Sequence, residues 1–194
     1  RKCFPCYDEP WAKATFKISI CHLSELKALS NMPAVSVTPS SNQGESITVF
    51  QETPPMCTYL VALAIGKYSC LTGHTSRGLP VDVYASPENS QYLRFPLDGA
   101  IKTLNYLEEY FDMQFDLPRL QILGAKHFMF GGMENYGLII IVEQLFLTLQ
   151  TQPITPTLPQ SERMFLNLMT GAGFVEGMAN LMRSFSLSQL STMM

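Results

Sequence analysis

From residue 11 to about residue 70, apolar and polar positions alternate at the two-residue period of strands. Ala14, Phe16, Ile18 and Ile20 alternate with Thr15, Lys17, Ser19 and Cys21, which predicts a strand with one buried face. Residues 47–51 and 56–65 predict two more. The second is almost continuously apolar, the pattern of a strand buried on both faces. Ser30-Asn31-Met32-Pro33 and residues 39–44 are turn clusters, and residues 66–78 read as a boundary around Gly73 and Gly78.

Beyond that boundary the pattern changes. Residues 79–85 predict a short strand, after which Pro96 and Asp98 open a helix whose apolar stripe is Ala100, Leu104, Leu107 and Phe111. Residues 120–123 and Leu138–Val142 predict strands on either side of a glycine-rich segment. Pro153, Pro156 and Pro159 then interrupt regular structure. A final amphipathic helix carries Phe174, Met178, Leu181, Met182 and Phe185 on one face, either as a core helix or as a partner-binding face. The expected fold class is therefore α+β, a β-rich first part followed by an α+β part.

Composition narrows the functional classes. Of 194 residues, 46% are hydrophobic and only 15% charged, so part of the surface is expected to be covered. The formal net charge is −3 with no Lys/Arg cluster, which argues against nucleic acid as a partner. No apolar run reaches the roughly 18 residues needed to span a bilayer. The opening Arg1-Lys2-Cys3-Phe4-Pro5-Cys6 resembles neither a signal peptide nor an initiating Met, as if cut from something longer. The five cysteines are odd in number and irregularly spaced. Cys3 and Cys6 form a C-x-x-C, structural, redox-active or simply free, with no second pair at a zinc-finger interval.

Residues 131–137 read Gly-Gly-Met-Glu-Asn-Tyr-Gly. Adjacent glycines let backbone groups approach a ligand closely, and Glu134 supplies a negative charge that suits a peptide's terminal ammonium. The plainer reading is a solvated carboxylate at a strand end.

Several segments together resemble the M1 family of zinc aminopeptidases. Phe4-Pro5-Cys6-Tyr7-Asp8-Glu9-Pro10, with Lys13-Ala14-Thr15-Phe16, is similar to the family's FPCFDEP…KATF segment. Leu29-Ser30-Asn31-Met32-Pro33 matches its LSNMP turn, and residues 53–60 match TTPxMSTYL. Residues 106–115 resemble the exit of a family helix, and residues 131–135 match the exopeptidase motif Gly-Ala-Met-Glu-Asn.

The resemblance implies a saddle-like β domain over residues 1–72 and an incomplete thermolysin-like α+β peptidase domain over residues 73–194. It implies that Glu134 binds the substrate's α-amine, with Gly131, Gly132, Met133 and Asn135 along the peptide backbone. The amine's second partner would stand upstream of Arg1. The family branch leans towards secreted or plasma-membrane-associated enzymes, although the cellular address is not fixed by these residues.

Hydrolysis in this family needs zinc, held by His-Glu-x-x-His on a helix and by a later Glu. Two imidazoles at i and i+4 share a helix face, and the intervening Glu is the general base. The three histidines here are His22, His74 and His127, none close to another in sequence and none after the exopeptidase motif. Ser161-Glu162-Arg163 resembles the opening of the family's zinc helix, and Leu166-Asn167-Leu168-Met169-Thr170 resembles the segment that follows it. The helix between them is missing. A second gap follows Thr170, and Phe174-Val175-Glu176-Gly177-Met178-Ala179 then resembles the segment carrying the third ligand. The family's transition-state-stabilising Tyr would lie beyond Met194.

Glu176 is thus an orphan third-ligand position, not expected to hold metal, and the favoured reading is a surface Glu in a helix's first turn. A rebuilt site using His127 and Glu176 is the less favoured alternative. The expectation is a catalytically inactive member or fragment with no bound zinc and weak recognition of peptide N-termini. Alternatives are a non-catalytic binder of peptide N-termini or a partner of a full-length aminopeptidase, and an active hydrolase whose sequence has lost an exon. Exposed apolar surface and an unpaired strand edge are also expected.

Overall fold

A computed structural model describes residues 3–144 of the 194. The proline-rich segment, the helix expected around Phe174–Phe185 and the orphan Glu176 lie outside the described residues.

The first part is built from strands. Strands β1 (Ser19–Leu23), β4 (Glu45–Phe50) and β3 (Ala34–Pro39) form an antiparallel sheet in the order β1-β4-β3. Strand β2 (Lys27–Ser30) pairs antiparallel with β5 (Leu63–Gly66). The expected strand over Ala14–Cys21 begins later, at Ser19. Upstream, Ala14 is held by a bridge to Met56, and Phe16 exchanges hydrogen bonds with Thr53. Residues 56–65 do not form one strand buried on both faces. A 3₁₀ turn at Thr58–Leu60 breaks the run, and in β5 Leu63 and Ile65 are exposed whereas neighbouring Ala62 is buried.

The second part is a five-stranded mixed sheet with one long helix. The sheet runs β6 (Ser69–His74), β7 (Pro80–Ala85), β8 (Leu120–Ala125), β10 (Leu138–Val142), β9 (Gly132–Met133). Strands β7, β8 and β10 are mutually parallel, and the outer strands β6 and β9 run antiparallel to their neighbours. Residue 72, the boundary expected from sequence, falls inside β6, which pairs with β7 along its whole length. Helix α1 (Arg94–Phe111) starts two residues before Pro96, and a 3₁₀ turn at Pro87–Tyr92 leads into it.

Strand alternation divides the sheet's residues between two layers. Val81, Val83, Leu120, Ile122, Ile139 and Ile141 point to the side where α1 buries Leu97, Ala100, Leu104 and Leu107. Tyr84, Leu123 and Leu138 point the other way, against Leu29 and Ala62 of the first part. Each large side chain so buried contributes about 1.5–3 kcal/mol. The result is a sheet covered by a helix on one face and by N-terminal strands on the other, an α+β arrangement preceded by a β-rich part.

Polar residues on the N-terminal-facing side are individually satisfied. Buried Asp82 accepts hydrogen bonds from Thr72 (2.6 Å) and Tyr84 (3.1 Å) and is paired with Arg119. Burial and the Asp82 charge push the Tyr84 phenol far above its ordinary range, and Lys27 of β2 sits 4.8 Å from its ring centroid.

Candidate functional site

The glycine-rich segment lies at one edge of the five-stranded sheet. Strand β9 is two residues long and pairs antiparallel with β10, Met133 opposite Ile140 and Gly132 opposite Ile141. Val142 N–H donates to Gly131 O at 3.1 Å, extending that pairing by one step. No strand lies on the outer side of β9 among the described residues. Its outer backbone groups therefore form an edge that another extended chain can pair with.

Glu134 follows β9 directly and is exposed. Asn135, the next residue, is buried, so the chain turns inward at that point. Leu138 N–H donates to Asn135 O at 3.2 Å, closing a turn through Tyr136 and Gly137. Gly137 has φ +75°, the left-handed value that a type II turn requires at its third residue. A Cβ there would stand 2.1 Å from the carbonyl oxygen of Asn31, so glycine is required both by conformation and by space.

Asn31 ties this turn to the N-terminal part. Its Nδ2 donates to Tyr136 O and to Leu60 O, both at 2.7 Å, while Ala62 N–H donates to its Oδ1 at 2.9 Å. Two carbonyls can only accept and one N–H can only donate, so the amide's orientation is fixed by its partners. Gln121 of β8 adds a second tie, donating from Nε2 to Ser30 O at 3.0 Å. Tyr136 is buried, and that burial, with the Asp116 charge, drives its phenol well above the ordinary range.

The same junction holds the turn that carries Tyr59, through the Asn31 bond to Leu60 O. Tyr59, in the Thr58–Leu60 turn, is half-exposed. Partial burial holds its phenol above the usual value, and nearby Cys57 and the Glu134 carboxylate add to that effect. The sequence marks the segment containing Asn31 only as a turn and gives no signal for a role of its side chain. The Asn31–Tyr136 bond runs across 105 positions and leaves no periodic trace.

The histidines are not gathered. His22 is buried in β1, with Nδ1 2.9 Å from Leu23 O and Nε2 2.8 Å from Thr48 Oγ1. The carbonyl can only accept, so Nδ1 carries the proton and Nε2 accepts from the Thr48 hydroxyl. His74 lies in β6 and His127 in the loop after β8, both exposed. Among the described residues, no three His, Cys, Asp or Glu side chains converge as metal ligands. The cysteines Cys3, Cys6, Cys21, Cys57 and Cys70 are all outside disulfides, and Cys57 Sγ donates to Pro10 O at 3.1 Å.

Comparison with known proteins places the two parts in order. The family model of the Peptidase M1 N-terminal domain matches residues 1–60, and that of the Peptidase family M1 domain matches residues 95–158. Aminopeptidase M1 of Arabidopsis thaliana is 41% identical over 147 residues, 76% of this chain and 16% of that protein. Glutamyl aminopeptidase of Bos taurus is 42% identical over 139 residues, 72% of this chain and 14% of that protein. Puromycin-sensitive aminopeptidase of Caenorhabditis elegans is 35% identical over 139 residues, 72% of this chain and 15% of that protein. The chain thus spans about a sixth or less of these relatives' lengths. With both family models matched in order and relatives at this identity across most of its length, the chain belongs to the M1 peptidase family.

Proposed function

We propose that this chain recognises free peptide N-termini and does not itself hydrolyse peptides. The observation that carries the first half is the position of Glu134, exposed directly after an edge strand that has no outer partner among the described residues. A peptide laid in extended form along β9 would engage the outer backbone groups of residues 131–133, where the Gly131-Gly132 pair leaves room for close approach. Its terminal ammonium would then meet the Glu134 carboxylate in a charge-assisted hydrogen bond. Asn135, the next residue, is buried. Exposed charge pairs are individually weak, so affinity is expected to be low.

The second half rests on the available metal ligands. Zinc is the family's catalytic metal, and a working site needs three protein ligands with one open position. The residues of this chain do not fit that requirement. His22 has both ring nitrogens engaged, His74 and His127 stand on separate elements, and no His-x-x-x-His occurs in the 194 residues. Glu176 alone cannot fix a zinc ion, because affinity and geometry come from several ligands acting together.

Two measurements test the two halves. Purified chain with added zinc is expected to release no dye from aminoacyl-dye substrates; zinc-dependent release would overturn the inactive reading. Calorimetric titration with a short peptide and its N-acetylated form is expected to show preference for the free amine, lost in Glu134→Gln. Equal affinity for both forms would overturn the recognition reading.

A further inference from the structure

Cys3 and Cys6 line one open space of about 660 Å³, with Phe4 and Asp8 of the same segment beside them. Cys3 is exposed, Cys6 is half-buried, and neither is in a disulfide. A fully extended chain would hold their Cα atoms about 10 Å apart, too far for a bond that needs about 4.4–6.8 Å. The backbone instead bends at Cys3 and again at Phe4, which shortens that span. Pro5 lies between the two thiols with a fixed φ, so closing a ring there costs less chain entropy. The segment is also pinned on both sides. The Phe4 ring meets Phe16 edge-on with centroids 6.1 Å apart, and Asp8 Oδ1 accepts the Thr58 hydroxyl at 3.1 Å.

The other cysteines are placed differently. Cys21 and Cys70 are exposed on β1 and β6, and their sulfurs lie against Glu45 Oε2 at 3.3 Å and Thr72 Oγ1 at 3.9 Å. Cys57 is buried and its thiol donates to Pro10 O at 3.1 Å, an environment that keeps a thiol inert. A structural metal needs more ligands than two thiolates, and among the described residues no group of three His, Cys, Asp or Glu converges. Redox exchange between the paired thiols needs no third ligand.

We propose that Cys3 and Cys6 form a thiol–disulfide exchange site that takes a small-molecule disulfide as its oxidant. The exposed Cys3 thiolate attacks one sulfur of that disulfide. The S–S bond of the small molecule breaks, a mixed disulfide forms on Cys3, and one thiolate leaves. Cys6, half-buried and so less open to a second molecule, then attacks the Cys3 sulfur as its thiolate and expels the other half. Two protein thiols lose two electrons, one small-molecule disulfide gains them, and the two protons end on the two departing thiols. The Cys3–Cys6 bond closes a ring between the Phe4–Phe16 and Asp8–Thr58 contacts. Cys21 and Cys70 stop at the mixed disulfide, having no neighbouring thiol to complete the exchange.

The test equilibrates the full chain in buffers of graded reduced-to-oxidised glutathione ratio, followed by acid quench, alkylation and peptide mass mapping. A Cys3–Cys6 disulfide within one chain is expected, with glutathione alone on Cys21 and Cys70. Cys6→Ser is expected to trap glutathione on Cys3, and Cys3→Ser to slow glutathione capture at the remaining Cys6 by about tenfold. The same titration in urea separates the fold from mere closeness in sequence. The exchange constant is expected to fall by about tenfold or more when the bends and the two pinning contacts are lost. Separate mixed disulfides on Cys3 and Cys6 at equilibrium would overturn the proposal. An equal constant in urea would overturn it too, since the folded segment would then contribute nothing to the pair.

Discussion

The Nδ2 of Asn31 and the main-chain oxygen of Tyr136 are 2.7 Å apart across 105 positions of sequence, and this bond joins the N-terminal strands to the turn that presents Glu134. Asn31 is 1% exposed, so its three hydrogen bonds are made away from water. Removing the amide would strand two carbonyls and one N–H together. Each stranded group costs about 1–3 kcal/mol, so Asn31→Ala is expected to destabilise the fold by about 3–5 kcal/mol. Asn31→Asp should be at least as harmful, because a carboxylate cannot donate to either carbonyl. Chemical denaturation monitored by Tyr and Trp fluorescence measures both.

Gly137 approaches the same residue from the other side. Gly137→Ala combines a left-handed backbone with a Cβ placed 2.1 Å from Asn31 O, and is expected to cost about 3 kcal/mol or more. Gly44 is the control: φ is +82° there, with nothing within 4 Å of an added Cβ. Gly44→Ala should therefore cost only the conformational part, about 1 kcal/mol. The difference between the two variants in urea unfolding reports the close approach to Asn31. Equal costs would mean that the turn shifts freely.

Asp112 ends α1 in the left-handed conformation, φ 50° and ψ 41°, with its N–H directed to the carbonyls of Glu108 and Glu109. Glycine is the residue that adopts this geometry without steric cost. Asp112→Gly is expected to stabilise the protein by about 0.5–1 kcal/mol, the relief of the left-handed strain less the entropy of a more flexible unfolded chain. Thermal unfolding would show a raised midpoint. A lowered one would mean that the Asp112 side chain contributes more than its backbone costs.

Helix α1 was the most legible element, because Ala100, Leu104 and Leu107 repeat at helical spacing and are in fact buried. Strand β10 was legible for its length and branched side chains. Strand β6 was not, because Gly73 read as part of a linker. In the structure Gly73 is a packing position, where an added Cβ would stand 2.7 Å from Ile101 of α1. Residues 56–65 misled in the opposite direction. Their apolar run conceals a 3₁₀ turn, and hydrophobicity alone does not distinguish a strand buried on both faces from a broken one with an exposed face. The candidate site was readable at Glu134 through its motif. Asn31 acts through long-range polar contacts, which leave no spacing to detect.

Glu108 gives the fold a dependence on acid. Its carboxylate is gripped by Arg77 through two guanidinium nitrogens and accepts the Phe115 N–H at 2.8 Å, so it ties α1 both to the β6–β7 turn and to its own exit loop. Burial alone would raise its pKa. The Arg77 hydrogen bond, the Phe115 N–H and the Arg77 charge outweigh that and hold it below its ordinary value near 4.5. A carboxyl lowered on folding contributes stability that is fully present above the unfolded value and is lost as pH falls through the folded one. Unfolding free energy should therefore decline below about pH 4.5, and Glu108→Gln should flatten that decline while lowering stability at neutral pH. Denaturant midpoints at several pH values check both. An unchanged acid slope in the variant would assign the effect to other carboxylates.

Among the described residues, strand β3 carries the clearest liability for self-association. It is the outer strand of the β1-β4-β3 sheet and pairs only with β4 among the described residues. Val35 and Val37 on it are 65% and 62% exposed. An edge that offers unpaired backbone groups beside exposed branched side chains is a template for a second copy. A charge placed there would have to be desolvated before pairing, yet it would displace no packed group in the folded chain. Val37→Lys is therefore expected to slow aggregation severalfold by light scattering while changing unfolding free energy by no more than about 0.5 kcal/mol. The paired measurement is what discriminates. Slower aggregation with lost stability would place Val37 in the core, and unchanged aggregation would direct attention to Leu23 of β1 and to Leu63 and Ile65 of β5, which are also exposed.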